Sequence, residues 1–329
     1  MFRIKFLASF LLMFFLWVAP LHAAPLEKVR IAQFGQSKFL LYLPLYVAQE
    51  EGFFAEQGLD VDIRFAGNDD QIFAAVMSGS VEYGMGDPVF TAIAQEKGGK
   101  AKTVAMLITN LALSGYTNKA TIPEIRRAEQ LAGLRVSSFP APSTTYTILN
   151  GLKQRVPTLA SMKIVQSAMG TGAALLQTDT VDISVDLEPA VSQLVENGFR
   201  VVLNLNDFTE PQAVTGLMVR QETINKNPAQ IQCMVNALQE AITLMYKEPD
   251  AAYRTARKLF PSLGEKVIRR AVDHMLRDAM YPSSVVVPDD YWQRALKTRL
   301  DSGELAHPQA TSLAVDNRFA QKAQGAYGK

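Results

Sequence analysis

Four consecutive residues, Ser143, Thr144, Thr145 and Tyr146, follow Phe139-Pro140-Ala141-Pro142. The prolines hold the chain out of helix before Ser143. Ser143 or Thr144 can then cap the helix that an apolar pattern continues to about Val156. The first N–H groups of a helix lack partners within it, and the helix dipole is positive there. Hydroxyl groups add further donors. An acidic or electron-rich ligand group would be held well at such a place. Helix capping alone would need only one of these residues.

Other candidates share this loop character. Gln36 to Phe39, with Tyr42, sets aromatic rings beside amide groups, which suits an organic ligand with a flat or apolar part. Phe39 and Tyr42 could equally pack against the helix that follows, and Lys38 could pair with an anion or stay solvated. Asn68 is either a donor to a ligand or an N-cap, with Gln71 three residues on. Thr171 stands between Gly170 and Gly172. Asp87 and Glu188 each precede a proline and suit helix starts. If they also face a ligand they require donors such as an amine, a ring N–H or a hydroxyl. Two carboxylates disfavour a purely anionic ligand unless cations offset them.

No catalytic set accompanies these residues. Cys233 is the single cysteine, so no intrachain disulfide can form, and it sits in an apolar helical pattern. His274 and His307 lie outside the loops above and have no cysteine near them, so a zinc site of ordinary ligands is not expected. Charges nearly cancel, 33 basic against 32 acidic, which gives no electrostatic case for nucleic acid. Neither a metal nor a cofactor is expected.

The elements that must position these loops alternate between strand and helix. Residues 28–87 read as strand, loop, helix, strand, loop, helix and strand, with Pro44 in the first turn of a helix. Strands joined through helices pair in parallel, and ligands bind beyond the carboxyl ends of such strands. Those ends are Gln33–Phe39, Ala66–Asp70 and Gly86–Pro88. Further strands are expected at 103–108, 111–117, 134–138, 162–166, 181–185, 200–203 and 214–219. Helices then follow at 228–247, 250–260, 264–277 and 289–302, and the tail from His307 shows little pattern. Ser80 to Pro88 and Thr180 to Pro189 echo one another: a turn, an acidic strand, then an acidic residue before proline.

The N-terminus sets the compartment. Arg3 and Lys5 precede an apolar run from Phe6 to Val18, and small residues follow at Ala23 and Ala24. That is the pattern of a secretory signal peptide, cut after Ala23 or Ala24. The run falls short of the roughly 20 residues a membrane span requires. The expected organisation is a leader over 1–24, one lobe from 25–117 plus 212–329, and a second lobe over 118–211. The polar breaks near 118 and 208 are the two crossings.

Four segments carry a family resemblance. LPLYVAQEEGFFAEQGLDVDI (43–63), AAVMSGSVEYGMGD (74–87), AEQLAGLRVSSF (128–139) and TVDISVDLEPAV (180–191) resemble the NMT1/THI5-like group of periplasmic substrate-binding proteins of ABC transporters. This is the sulfonate, nitrate, taurine and thiamine-precursor branch. Asp179 and Thr180 stand where the group usually has glycine before the last of these strands. The resemblance implies an α/β, type II periplasmic binding protein fold, two α/β lobes joined by two hinge crossings. It implies use of the Ser143–Tyr146 loop for ligand, capture of a small organic molecule, anionic or not, between the lobes, and delivery to an inner-membrane ABC permease with its cytoplasmic ATPase. A monomeric, non-enzymatic periplasmic protein is expected. A periplasmic sensor, or an enzyme on the same fold, are the competing readings, since fold does not fix function.

Overall fold

The structure is a computed structural model and describes residues 25–36, 38–110, 113–141 and 143–328. The expected leader, 1–24, and Leu111, where a strand was expected to begin, lie outside the described residues.

The larger lobe is built on strands β1 (Glu27–Gln33), β2 (Leu59–Phe65), β3 (Tyr83–Gly86) and β4 (Ala101–Ile108). β1 runs parallel to β2, with Val29 opposite Val61 and Ile31 opposite Ile63, and parallel to β3 on its other side. A parallel pair requires a crossover. The helix Leu43–Glu50 supplies it, with Pro44 in its first turn and Leu43, Leu45, Tyr46 and Val47 buried.

The smaller lobe holds β5 (Ser114–Thr117), β6 (Arg135–Ser138), β7 (Lys163–Gln166), β8 (Ser184–Asp186) and β9 (Arg200–Asn204). β5 lies antiparallel between β8 and β9, β6 pairs in parallel with β7, and a bridge from Val136 to Ile183 ties the two ladders. This corrects one expected boundary. Ser114–Thr117 was assigned to the first lobe, yet it pairs with β8 and β9, so the chain has entered the smaller lobe by Ser114 rather than near 118. All four residues of β5 are buried, and a strand covered on both faces carries no alternation to say which sheet it joins. The chain returns through 205–214 into β10 (Thr215–Arg220), which inserts antiparallel between β3 and β4.

Each lobe has its own core. Val29, Ile31, Leu217 and Ile242 belong to the larger one, and Leu131, Val136, Leu149 and Ile183 to the smaller. The helix Pro228–Lys247 turns Ile231, Met234, Val235, Leu238, Ala241, Ile242 and Met245 inward at three- and four-residue spacing. The tail is better ordered than its pattern suggested: Arg318–Tyr327 is a helix that buries Phe319, Ala320 and Ala323. Asp179, at the place where glycine was noted as usual, has φ +54. Aspartate is among the few residues that adopt this region readily, and its carboxylate pairs with Lys119 and, at 2.9 Å, with Arg135.

Candidate functional site

The loops beyond β1 and β2 are clasped together. Gly35 and Gly67 exchange two backbone hydrogen bonds, at 2.6 and 3.2 Å, and both have positive φ. A Cβ on Gly35 would stand 2.5 Å from the Phe39 ring, so the close approach requires glycine. Phe39 is half-buried and packs edge-on against Phe34 at 6.2 Å between ring centres. Gln36 is exposed at the tip of this loop. Tyr42 belongs to the core instead, only 3% exposed. Burial pushes its phenol well above the usual value, and the charge of Asp69 adds to this. Lys38 sets its ammonium 5.6 Å from the centre of the Tyr46 ring.

Asn68 is a working cap. Its Oδ1 accepts the Gln71 N–H at 2.9 Å, and Gln71 Oε1 accepts the Asn68 N–H at 3.0 Å, a reciprocal capping box on the helix Asp69–Ser78. The next residue, Asp69, was not among the candidates. Its Oδ1 accepts the Asp87 N–H at 2.9 Å. Burial, followed by the charge of Asp87, pushes the Asp69 carboxyl up to about 6.

Asp87 is the centre of this wall. One of its oxygens accepts the Val89 N–H at 2.9 Å, and the other pairs with Arg299. Arg299 comes from the helix Asp289–Asp301 and also donates to Glu304 at 2.8 Å. Burial alone would lower its pKa, and the two carboxylates more than reverse that. The donor that Asp87 was expected to demand of a ligand is therefore supplied by the chain itself, from 212 residues away. No local pattern could have revealed Arg299, because its partner is set by tertiary packing of the last third of the chain.

Across from this wall stands the start of the helix Thr144–Arg155. Ser143 is its N-cap: Ser143 Oγ accepts the Tyr146 N–H at 3.3 Å and donates to the Phe139 carbonyl at 2.9 Å. Thr145 is buried, whereas Thr144, Tyr146 and Thr147 are partly exposed. Phe139 packs against the core of the smaller lobe. One cleft is lined from both lobes and from the second crossing: Asp87, Thr298 and Arg299 on one side, Gln212 at the crossing, Thr144 and Thr147 opposite.

The remaining candidates stand elsewhere. Thr171 spends its hydroxyl locally, donating to the Ala168 carbonyl at 2.7 Å, while the Gly170 N–H reaches buried Asp186 at 3.3 Å. Glu188 is buried, 5% exposed. Its Oε2 accepts the Ser192 N–H at 3.1 Å, and its Oε1 lies 2.7 Å from His274 Nδ1 of the larger lobe. So Asp87 and Thr144 share a cleft, whereas Gln36, Phe39, Tyr42, Asn68, Phe139, Ser143, Thr145, Tyr146, Thr171 and Glu188 do not line it. The echo between the segments ending at Asp87 and Glu188 is real in one respect: each acidic residue meets a basic side chain from the C-terminal helices, Arg299 and His274.

The chain was compared with known proteins. A family model described as NMT1/THI5 like matches residues 41–252. YtlA of Bacillus subtilis (strain 168) is 22% identical over 308 residues, 90% of each chain. The periplasmic aliphatic sulphonate binding protein SsuA of Escherichia coli superposes with a TM-score of 0.70 at 16% identity, covering 88% of this chain and 92% of its own. The desulfurization enzyme DSZB superposes with a TM-score of 0.63 at 13% identity, covering 90% and 99%. At these identities the two structures establish a shared fold alone.

Proposed function

The chain belongs to the NMT1/THI5-like family, and from that membership we propose that it is the extracytoplasmic solute-binding protein of an ABC import system. It captures a small organic molecule between its lobes and presents it to an inner-membrane permease driven by a cytoplasmic ATPase. The leader-like start at 1–24 supports export to the periplasm. The observation that carries the reading is the cleft with Asp87 and Arg299 on one lobe and Thr144 and Thr147 on the other.

The cleft's chemistry bears on what it holds. The first N–H groups of the helix Thr144–Arg155, with the hydroxyls of Thr144 and Thr147, favour an electron-rich edge. The opposite wall is lined by Asp87, Arg299 and Thr298, with Arg299 already shared between Asp87 and Glu304. That wall leaves no charge for a ligand to neutralise, so it suits a neutral polar edge. A molecule with an electron-rich edge and a neutral polar edge satisfies both walls. Ligand contact with both lobes would draw them together by its differential affinity for the closed arrangement.

Shared fold with an enzyme raises the alternative of catalysis. Cys233 lies in the helix Pro228–Lys247, away from the cleft wall, and His274 is engaged by two carboxylates. Neither is placed beside a nucleophile in the cleft, which favours binding without turnover. A thermal-shift screen of the mature protein tests the proposal, with sulfonates, carboxylates, pyrimidines, flavins and inorganic anions. A ligand at a hundred times its dissociation constant stabilises the fold by roughly 2.7 kcal/mol. Turnover of one of these compounds, with stabilisation by none, would overturn the reading.

A further inference from the structure

Away from the ligand cleft, the lobes meet along a second seam. The helix Ala190–Glu196 of the smaller lobe packs against the helix Glu265–Arg277 of the larger. Arg270 pairs with Glu196 at 2.8 Å near one end of this contact. At the other, Glu188 Oε1 lies 2.7 Å from His274 Nδ1, and Asp278 Oδ2 lies 3.1 Å from His274 Nε2. The three side chains are little exposed, 2% for Glu188, 14% for His274 and 17% for Asp278. Asp278 also reaches other elements. Its carboxylate accepts from Asn204 Nδ2 at the end of β9 (3.2 Å), and its backbone carbonyl accepts from Asn110 Nδ2 in the first crossing (3.2 Å). Arg277 Nε stands 3.5 Å from the second Asp278 oxygen. The triad thus ties the smaller lobe to the larger beside the hinge.

The geometry specifies a protonation state. A neutral imidazole carries one N–H and one lone pair. Here each ring nitrogen faces a carboxylate oxygen, so only the imidazolium donates to both. Loss of the proton would set a lone pair against a carboxylate in a poorly solvated seam. We infer that Glu188, His274 and Asp278 form a proton-held clamp between the lobes, joined while His274 is charged and released when it loses its proton. Burial lowers the affinity of His274 for that proton, but the Glu188 hydrogen bond and the charges of Glu188 and Asp278 outweigh burial and the opposing charge of Arg277, so the titration lies above the ordinary histidine value. The sign follows from a raised pKa. The clamp's contribution is complete below the unfolded-state value and is lost as pH rises through the folded one. The clamp bears on the proposed capture of a ligand, because release at this seam frees the lobes to open, yet it is a property of the ligand-free chain.

Two measurements on ligand-free protein test it. Spin labels at Lys97→Cys and Lys163→Cys, in a Cys233→Ser background, report the distance between lobes from about pH 5 to about pH 9. The expected result is one narrow distance at low pH that broadens and lengthens as pH rises, and a distance independent of pH in His274→Gln. A wild-type distance that does not change with pH, or the same transition in His274→Gln, would overturn the clamp. Should His274→Gln not fold, imidazole titration by NMR decides, read against the ordinary histidine value of about 6.5. A His274 midpoint above that value, lowered in Glu188→Gln, supports the clamp. A midpoint at or below it overturns the clamp. Because no ligand is present, either failure leaves the solute-binding proposal standing.

Discussion

At the scale of single residues, the cleft is a set of charges already partnered by the protein. Arg299 and Asp87 are each less than a fifth exposed. Removing one member leaves the other uncompensated, so Arg299→Met is expected to lower stability by about 3 kcal/mol, the low end for a broken buried pair. Asp87→Asn combined with Arg299→Met should recover part of that loss, and a double-mutant cycle by urea unfolding measures the coupling. Asp69 gives a pH-dependent counterpart. Its carboxyl rises from the ordinary 3.8 to about 6, so the folded protein holds this proton more tightly than the unfolded chain. Stability should fall as pH rises from about 4 to about 6, by an amount on the order of 3 kcal/mol. Asp69→Asn should remove that slope, which denaturation at several pH values would show. Of the candidates, Asp87 and Thr144 line the cleft, and each had a local signature in the sequence, a Pro neighbour for one and a helix start for the other. The sequence could not show Arg299 or His274, whose roles are created by partners 212 and 86 residues distant.

At the scale of elements, regular periodicity was readable and sheet membership was not. The helix Pro228–Lys247 was legible to the residue because Asn227-Pro228 marks its start and its apolar spacing is unbroken. β5 was legible as a strand, but its four buried residues could not say which lobe it joined. The glycine clasp between the loops of β1 and β2 gives an element-level test. Gly35 has φ +86 and lies against the Phe39 ring. Gly35→Ala should therefore cost about 1–2 kcal/mol of stability, the usual penalty for a side chain in this region. It should also displace Phe39, which a change in thermal midpoint together with altered aromatic circular dichroism would report.

At the scale of the whole molecule, the chain enters the smaller lobe before Ser114 and leaves it through 205–214, and among the described residues the lobes meet at two places. One is the cleft, lined by polar groups of both lobes. The other is the seam with His274, where polar groups already satisfy one another across the lobes. In the proposed reading the first place holds the ligand and the second biases how the lobes sit. Two-lobe organisation was visible in the sequence as two strand–helix blocks separated by polar breaks. The seam was not, because it depends on how the helix Glu265–Arg277 lies against the opposite lobe.

The most direct test of the central claim asks whether a bound solute touches both walls. Calorimetric titration with the compound that gives the largest thermal shift should be run on wild type, Thr144→Val in the smaller lobe and Thr298→Val in the larger, both of which line the cleft. Each variant removes about one hydrogen bond, and both are expected to weaken binding about tenfold while unfolding midpoints stay near that of wild type. Wild-type affinity in both variants would contradict the claim, since the solute would then be held somewhere other than the cleft between the lobes.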